Sequence, residues 1–340
     1  MAPSYTSWAA TGIILLLGSA SASSSVIRRN ETCTQINQRK AWTALTDTEK
    51  ADYIRAEQCL MTSAPRTNIT GAKTRWDELQ WAHIAQSNII HGVGSFLPWH
   101  RYYVHTHEYL LQSECNYTGA QPYWDEMTDA DASTSLADAS IWGSDELSFG
   151  TNGRDGDGCV VDGPFANTTL RLNQEWGVNN YTEYCLARSF SDTDWAWANS
   201  TYVDACMAKT EYATAWSCWS AYPHSSAHIA VGGTLYDQSA SPGDPVFFLH
   251  HANIDRLWWE WQQVDSAARV TQMSGQSIPS MTHLLEGEWL FPSQAEIDGM
   301  GDAYNVTTLA HNLWMVDLLP NITVADIVDL SGGLSCAEYV

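Results

Sequence analysis

The chain has 340 residues and a formal net charge of −23, with only 16 Lys and Arg residues. Phosphate backbones and anionic lipid surfaces would repel such a chain, which argues against nucleic-acid partners and membrane-surface partners. Its 17 Trp and 15 Tyr residues supply enough aromatic surface for a large core and for the walls of a pocket.

The N-terminal residues have the composition of a secretory signal peptide. An apolar run over residues 8–18 is followed by the small residues 19–22, which a signal peptidase would accept. The run is shorter than the roughly 20 residues that span a bilayer, so we expect no membrane anchor. We predict a signal peptide over residues 1–22 and a single mature domain over residues 23–340.

Two other features predict export from the cell. The 8 Cys residues include no C-x-x-C pair, as is typical of disulfides formed in an oxidising compartment, although the sequence does not choose among their pairings. N-x-S/T triplets are more frequent than chance predicts, which favours N-glycosylation. They lie at Asn30, Asn68, Asn116, Asn167, Asn180, Asn199, Asn305 and Asn321.

The first predicted elements of the mature chain are helices. One helix covers residues 39–45, and a capping box of Thr46 and Glu49 opens a second over residues 50–61. A third covers residues 74–86.

The remaining predicted elements complete two helix pairs. A helix that begins at Pro98 pairs with the third helix, since proline suits a first turn. Residues 129–220 are glycine-rich and hold four cysteines, which indicates long loops held by disulfides. A short helix around residues 224–228 and a long helix over residues 244–265, with Asp244 as N-cap, form the second pair. We therefore predict a mainly α fold with a four-helix bundle core.

Most of the 11 histidines fall into two clusters. The first holds His83, His91, His100, His105 and His107, and the second holds His224, His228, His250 and His251. His224 and His228 stand at i and i+4, so their side chains leave one face of a helix and can share a metal ion. His250 and His251 point roughly 100° apart, so we expect only one of them to face that ion.

The residues around the clusters narrow the choice of metal. His251 lies in a long apolar helix where an unpaired imidazole is costly to bury, and Asp255, one turn further on, is its candidate supporting partner. Neither H-E-x-x-H nor Glu-x-x-His occurs near the clusters, which argues against zinc proteases and di-iron carboxylate bundles. Imidazole-only sites fit copper or zinc. Two sets of three neutral imidazoles suit a metal pair that alternates between Cu(I) and Cu(II).

Two segments closely resemble the copper motifs of the tyrosinase and catechol oxidase family of type 3 copper proteins. They read HGVGSFLPWHR over residues 91–101 and DPVFFLHHANIDRLW over residues 244–258. The resemblance extends over residues 80–261 and is greatest to the short secreted fungal members. It implies that the first copper is bound by His83, His91 and His100, and the second by His224, His228 and His251. His250 is then a neighbour that binds no metal, and structural roles remain for His105, His107, His283 and His311.

The resemblance also implies a substrate pocket and shows departures from the family. Phe247 matches the aromatic residue that packs over the second copper, and Ile229 would complete an apolar wall with it. Ser225 stands where many tyrosinases have an Asn thought to help deprotonate a monophenol, so hydroxylation is expected to be weak. Ile89 replaces the cysteine that many relatives join to a histidine, so we expect no thioether. The chain beyond His251 is too short for a large C-terminal shielding domain.

Arg101 and Asp255 match charged residues that follow the ligands in the family, and we expect them to pair structurally. The resemblance as a whole implies a secreted enzyme with two copper ions that oxidises small o-diphenols (catechols) to o-quinones as O2 is reduced to water. Weak monophenol hydroxylation and o-aminophenol oxidation stay open as further activities. The alternatives are a reversible oxygen carrier resembling the hemocyanins, and a structural protein without metal.

Overall fold

The computed structural model describes residues 33–133 and 135–340. The predicted signal peptide over residues 1–22 and the sequon at Asn30 lie outside this range. In the described part of the chain the fold is mainly α, as predicted, with four small two-stranded sheets. No helix there is long and apolar enough to cross a membrane.

The helices vary in length, and the two longest carry the two sequence motifs. In chain order they are α1 (Asp47–Thr62), α2 (Arg75–Ile84), α3 (Ser87–Ile90), α4 (Phe96–Cys115), α5 (Glu126–Ala132), α6 (Ser200–Met207), α7 (Tyr212–Trp219), α8 (Ser225–Val231), α9 (Gly233–Tyr236), α10 (Val246–Val264), α11 (Ser266–Arg269), α12 (Met281–Glu286), α13 (Gln294–Gly299) and α14 (Val324–Ile327). The strands are β1 (Asn37–Arg39), β2 (Thr169–Leu170), β3 (Asn173–Glu175), β4 (Val178–Asn180), β5 (Tyr184–Cys185), β6 (Asn312–Leu313), β7 (Ile322–Thr323) and β8 (Ala337–Tyr339).

The centre of the fold is formed by α4 and α10, which pack against each other and are buried over most of their length. The helix α1 begins with the predicted capping box, in which Thr46 and Glu49 satisfy each other's backbone N–H groups. The helix α2 begins in the same way at Thr74 and Asp77. Because these caps satisfy N–H groups that have no partner inside the helix, they fix where both helices start.

Some local predictions were wrong. Residues 39–45 do not form a helix: β1 ends at Arg39, and only Trp42–Ala44 forms a 3₁₀ turn. The strand forms because β1 pairs in parallel with β8, from the other end of the chain. The helix α10 begins at Val246, and its N-cap is Pro245 rather than the predicted Asp244. The carboxylate of Asp244 nevertheless accepts a hydrogen bond from the N–H of Val246 at 3.1 Å, as a capping side chain does, and it is also held by buried Arg188 at 2.7 and 2.9 Å.

Four disulfides join all the cysteines, and they resolve the pairing that the sequence left open. The pairs are Cys33–Cys336, Cys59–Cys115, Cys159–Cys185 and Cys206–Cys218. The first closes the two ends of the described chain next to the sheet of β1 and β8. The last two lie in the region over residues 129–220, so the prediction of disulfide-held loops there is confirmed. Many aromatic and aliphatic residues from Trp42 to Val328 share one core. That the chain forms a single domain, and that it has no shielding domain, both stay predictions.

A buried cluster of charges links α4, α10 and both ends of the described chain. Asp255 accepts hydrogen bonds from Arg101 Nε at 2.5 Å, from the Tyr339 hydroxyl at 2.7 Å and from Arg39 Nη1 at 3.3 Å. Arg39 also donates to Glu108 at 2.8 Å. The predicted pairing of Arg101 with Asp255 is therefore confirmed. The prediction that Asp255 supports His251 is wrong, because two guanidinium groups and a phenol occupy its carboxylate.

Asp255→Ala should destabilise the protein by about 3–5 kcal/mol, because it leaves two guanidinium groups buried without their shared carboxylate. Chemical denaturation at neutral pH would measure this loss. Glu260→Ala is the control, since it removes the partially exposed partner of Arg256 and should cost no more than about 1 kcal/mol. Equal losses in the two variants would contradict the role given to Asp255.

Candidate metal centre

Three buried histidines of the first motif converge on one point. His83 lies in the last turn of α2, His91 follows α3, and His100 lies in the first half of α4. One ring nitrogen from each lies within 4.8 Å of the others. Gly92 has a φ of +64°, a conformation that glycine adopts without steric cost. It turns the chain between His91 and α4.

The second cluster holds four histidines rather than three. One ring nitrogen from each of them lies within 4.8 Å of the others, and the four residues are His224, His228, His250 and His251. His224 ends a π-helical turn over Ser220–His224, and α8 continues directly from it. Such π-turns are frequent at functional sites. The 100° separation on the helix does not keep His250 away from the other three residues.

The two clusters face each other across the packed helices α4 and α10. The rings of His100 and His251 are stacked, with centroids 4.4 Å apart and planes inclined by 12°. The buried ring of Phe247 lies 4.1 Å from the ring of His251 and 5.3 Å from that of His83. One connected centre therefore contains all six histidines that the resemblance indicates, together with His250.

Most of these histidines are oriented by a hydrogen bond from Nδ1–H to a backbone carbonyl. The pairs are His83 with Ser239 (2.8 Å), His91 with Ser87 (3.0 Å), His100 with Phe96 (2.8 Å), His224 with Ser220 (3.3 Å) and His228 with Leu235 (2.5 Å). A carbonyl partner fixes the tautomer and leaves the lone pair of Nε2 free, which is the arrangement found around metal-binding histidines.

The free nitrogens fit a metal ion. Among the described residues, no hydrogen-bond partner is present for buried Nε2 of His83, His100, His224 and His250, or for Nδ1 of His251. Unpaired buried polar atoms are rare and costly, so their concentration at one point calls for a ligand. The Nε2 atoms of His228 and His251 are 3.4 Å apart. Two imidazoles that share an ion at about 2 Å in tetrahedral geometry would be about 3.3 Å apart.

Burial keeps these imidazoles neutral. It lowers the pKa of His83 and of His228 to about 3, and the pKa values of His91, His100, His224 and His251 are also lowered by burial. Only the neutral ring has a lone pair that can bind a metal ion. The protein therefore holds these side chains in the form that can bind metal.

Sequence reasoning missed one buried partner of the centre. Nδ1 of His250 lies 2.6 Å from Oε1 of Glu126, the first residue of α5. Burial raises the pKa of Glu126 and lowers that of His250 to about 3. No spacing rule connects two residues that lie 124 positions apart in the chain, so the sequence carried no signal for this contact.

A pocket of about 480 Å³ opens onto both clusters. His91, His224 and His228 line it, together with Ser225 and Ile229, which the sequence had placed there. Phe247 is not on the surface of this pocket, because it is fully buried against the histidine rings. The pocket is also lined by residues that the sequence did not indicate: Trp216, Tyr236, His283 and Glu286.

Comparison with known proteins adds a second line of evidence. Residues 73–264 match the family model described as the common central domain of tyrosinase. The chain belongs to the tyrosinase family. It is therefore a type 3 copper oxidase, and the resemblance recognised in its two motifs is confirmed.

Fungal relatives are similar over most of their length. "Tyrosinase-like protein phomQ1" of Diaporthe leptostromiformis is 33% identical over 327 residues, which cover 90% of this chain and 78% of the relative. "N-acetyl-6-hydroxytryptophan oxidase ivoB" of Emericella nidulans is 31% identical over 275 residues, which cover 67% of this chain and 75% of the relative.

Solved structures confirm the fold. A mutant polyphenol oxidase from Thermothelomyces thermophila superposes with a TM-score of 0.76 at 26% identity, over 90% of this chain and 89% of that one. A functional unit of octopus hemocyanin superposes with a TM-score of 0.50 at 16% identity, over 89% of this chain and 68% of that one. The second likeness extends to the fold alone.

The metal-free protein should lose stability as the pH falls from 6.5 to 5. The folded pKa values of the histidines in the two clusters lie below the usual 6.5. The unfolded chain therefore takes up protons on these residues in this range, and the folded chain does not. Each histidine of the two clusters contributes up to about 1.4 kcal/mol per pH unit. The raised pKa of Glu126 acts in the opposite direction and offsets the contribution of about one histidine. Denaturation in the presence of a chelator would measure the slope.

In His83→Leu the free energy of unfolding should depend less steeply on pH, because the unfolded variant takes up about one proton fewer. This result would assign the pH dependence to the metal centre. Most carboxylates titrate below this window, so they contribute little to the slope. A metal-free protein whose stability is constant from pH 6.5 to 5 would contradict the buried, neutral state of these rings.

Proposed function

We propose that this protein is a secreted oxidase that converts o-diphenols to o-quinones while O2 is reduced to water. Two diphenol molecules give up four electrons and four protons, which reduce one O2 to two molecules of water. The observation that carries the proposal is the pocket of about 480 Å³, which is large enough for a small aromatic molecule and is lined by His91 of the first cluster and by His224 and His228 of the second.

In this proposal the first copper is bound by His83, His91 and His100, and the second by His224, His228 and His251. The nitrogens left free by the carbonyl contacts support this assignment for five of the six residues. The sixth, His251, has its Nε2 3.4 Å from that of His228. When bound, the two copper ions supply the redox chemistry that moves electrons from the diphenol to O2. We assign His250, whose Nδ1 contacts Glu126, to the outer support of the centre, because the resemblance to the copper motifs gives the ligand role to its neighbour His251.

The residues of the pocket bind and orient the phenol ring. Ile229 and Trp216 offer apolar surface beside the second cluster, where the ring can leave water. The Ser225 hydroxyl donates to the carbonyl of Ser220 at 2.8 Å, so its proton is already engaged. A neutral hydroxyl oxygen is in any case a very weak base for a monophenol, which supports diphenol oxidation as the main activity, with monophenol hydroxylation weak.

Secretion is the proposed location, and two observations support it. Four disulfides join all the cysteines, an arrangement that persists in oxidising compartments. Most of the described sequons are also exposed. Asn199 is partly buried, and the exposed ones are Asn68, Asn116, Asn167, Asn180, Asn305 and Asn321. We propose that glycans are attached at such exposed positions, because N-x-S/T is the acceptor motif for N-glycosylation.

Oxygen uptake by purified, copper-loaded protein tests the proposed reaction. With 4-tert-butylcatechol we expect consumption of one O2 for every two diphenols, at about two coppers per chain. With tyramine we expect little or no uptake, because Ser225 is a poor base. Reversible binding of O2 without uptake on either compound would instead support an oxygen carrier and contradict the proposal.

His228→Ala should lower the copper content from about two ions to about one per chain and remove nearly all oxidase activity, because the variant lacks one imidazole of the second cluster. Metal analysis on the sample used for activity would check both effects. His311→Gln is the matched control: His311 pairs with Asp302 at 2.6 Å, outside both clusters, so its copper content should not change. Full activity in His228→Ala would contradict the ligand assignment.

A further inference from the structure

The short helix α12 forms one side of the substrate pocket. His283 and Glu286 both line this pocket together with His91, His224 and His228. They stand three positions apart on α12, so their side chains lie on the same face of the helix. The sequence assigned His283 to the surface or the core, but the structure places it at the pocket.

His283 is held in place by close packing against the first cluster. A Cβ atom at position 92 would come within 2.5 Å of Cδ2 of His283, so the ring lies where only glycine leaves room. The ring also contacts Trp289 edge to face, at 5.5 Å between centroids, and Trp289 stacks on His91 at 5.2 Å. These contacts fix the position of the His283 ring, which lies between the first cluster and Glu286 on the pocket surface.

Glu286 gives this end of the pocket its charge. Among the described residues that line the pocket, Glu286 is the only Asp, Glu, Lys or Arg. It forms no salt bridge with any described Lys or Arg. An adjoining cleft of about 340 Å³ shares Tyr236, Gln238 and Glu286 with the pocket and is also lined by Glu175, Asp237 and Glu288.

The charge and the position of Glu286 together select a class of substrate. A pocket mouth with negative charge and no Lys or Arg on its surface attracts cations and repels carboxylates. The pocket has the histidine clusters on its surface together with His283 and Glu286 of α12. A diphenol with its hydroxyl groups at the clusters and its opposite end towards α12 would place a substituent at the Glu286 carboxylate.

We propose that Glu286 binds a cationic substituent on the phenol ring, so that the pocket favours o-diphenols that carry an ammonium group over those that carry a carboxylate. His283 positions the ring between Glu286 and the histidine clusters. This inference rests on the proposed diphenol oxidase function and adds the class of substrate to it.

The first test compares three diphenols of similar size in wild type and Glu286→Gln: dopamine, neutral 4-methylcatechol and 3,4-dihydroxyphenylacetate. The KM for dopamine should rise about two- to fivefold, as expected for one exposed ion pair. The KM for dihydroxyphenylacetate should fall by a similar factor, and that for 4-methylcatechol should not change. The kcat values should stay the same, because Glu286 acts on the substituent and not on the reacting oxygens.

Glu288→Gln is the matched control, since it removes the same charge two positions away, from a residue that lines only the adjoining cleft. Its KM for dopamine should stay close to the wild-type value. Equal shifts in the two variants would show that overall charge, and not contact with Glu286, sets the preference. That result, or an unchanged KM in Glu286→Gln, would overturn the proposal.

Binding of phenethylamine separates this inference from the oxidase function, because the compound carries the ammonium group but no hydroxyl to react. Trp216 lines the pocket and Trp289 contacts His283, so tryptophan fluorescence should report its binding. We expect the wild type to bind phenethylamine more tightly than phenylacetate, and Glu286→Gln to lose this difference. If the wild type binds phenethylamine more tightly than phenylacetate but oxidises no catechol, the oxidase function alone is contradicted. If the wild type binds the two compounds equally, the role of Glu286 is overturned.

Discussion

The ion pair between Arg101 and Asp255 holds α4 against α10, and the metal centre depends on that contact. Arg101 directly follows His100, and Asp255 lies one turn beyond His251, so the same pair of helices carries the ion pair and the facing imidazoles. The rings stack at 4.4 Å as a result. Arg39 and Tyr339 reach the same carboxylate from the two ends of the described chain. The same carboxylate therefore joins the two ends of the described chain and aligns the two helices that carry His100 and His251.

The histidine centre also lowers the stability of the fold when no metal is bound. A cluster of buried imidazoles must stay neutral, and several of their nitrogens have no protein partner among the described residues. An apolar core of the same volume would be more stable, because it would leave no polar atom unpaired. The surrounding helices, with their capping boxes, ion pairs and disulfides, hold the imidazoles in this arrangement. A bound metal would satisfy the free nitrogens and add its binding energy to the stability of the folded state.

The sequence predicted what local patterns encode. The capping box at Thr46, the mainly helical fold and the histidines that form the two clusters all follow from spacing within short segments or from the copper motifs. It failed where partners are far apart in the chain. Residues 37–39 form a strand only because β8 lies beside them, 300 positions later in the chain. Glu126 and His283 reach the centre through the same kind of long-range packing, which no periodicity reveals.

These contacts separate the chemistry of the site from its selectivity. The histidine clusters are built on long, buried helices, where the ring positions are fixed by carbonyl contacts and by neighbouring aromatic rings. Glu286 lies at the exposed end of a short helix in a loop-rich part of the chain, where substitutions disturb little of the core. His283 is the link between the two regions, because it packs on Gly92 beside a candidate ligand and precedes Glu286 by one turn. The preference for a substituent can therefore change at α12 while the metal centre stays the same.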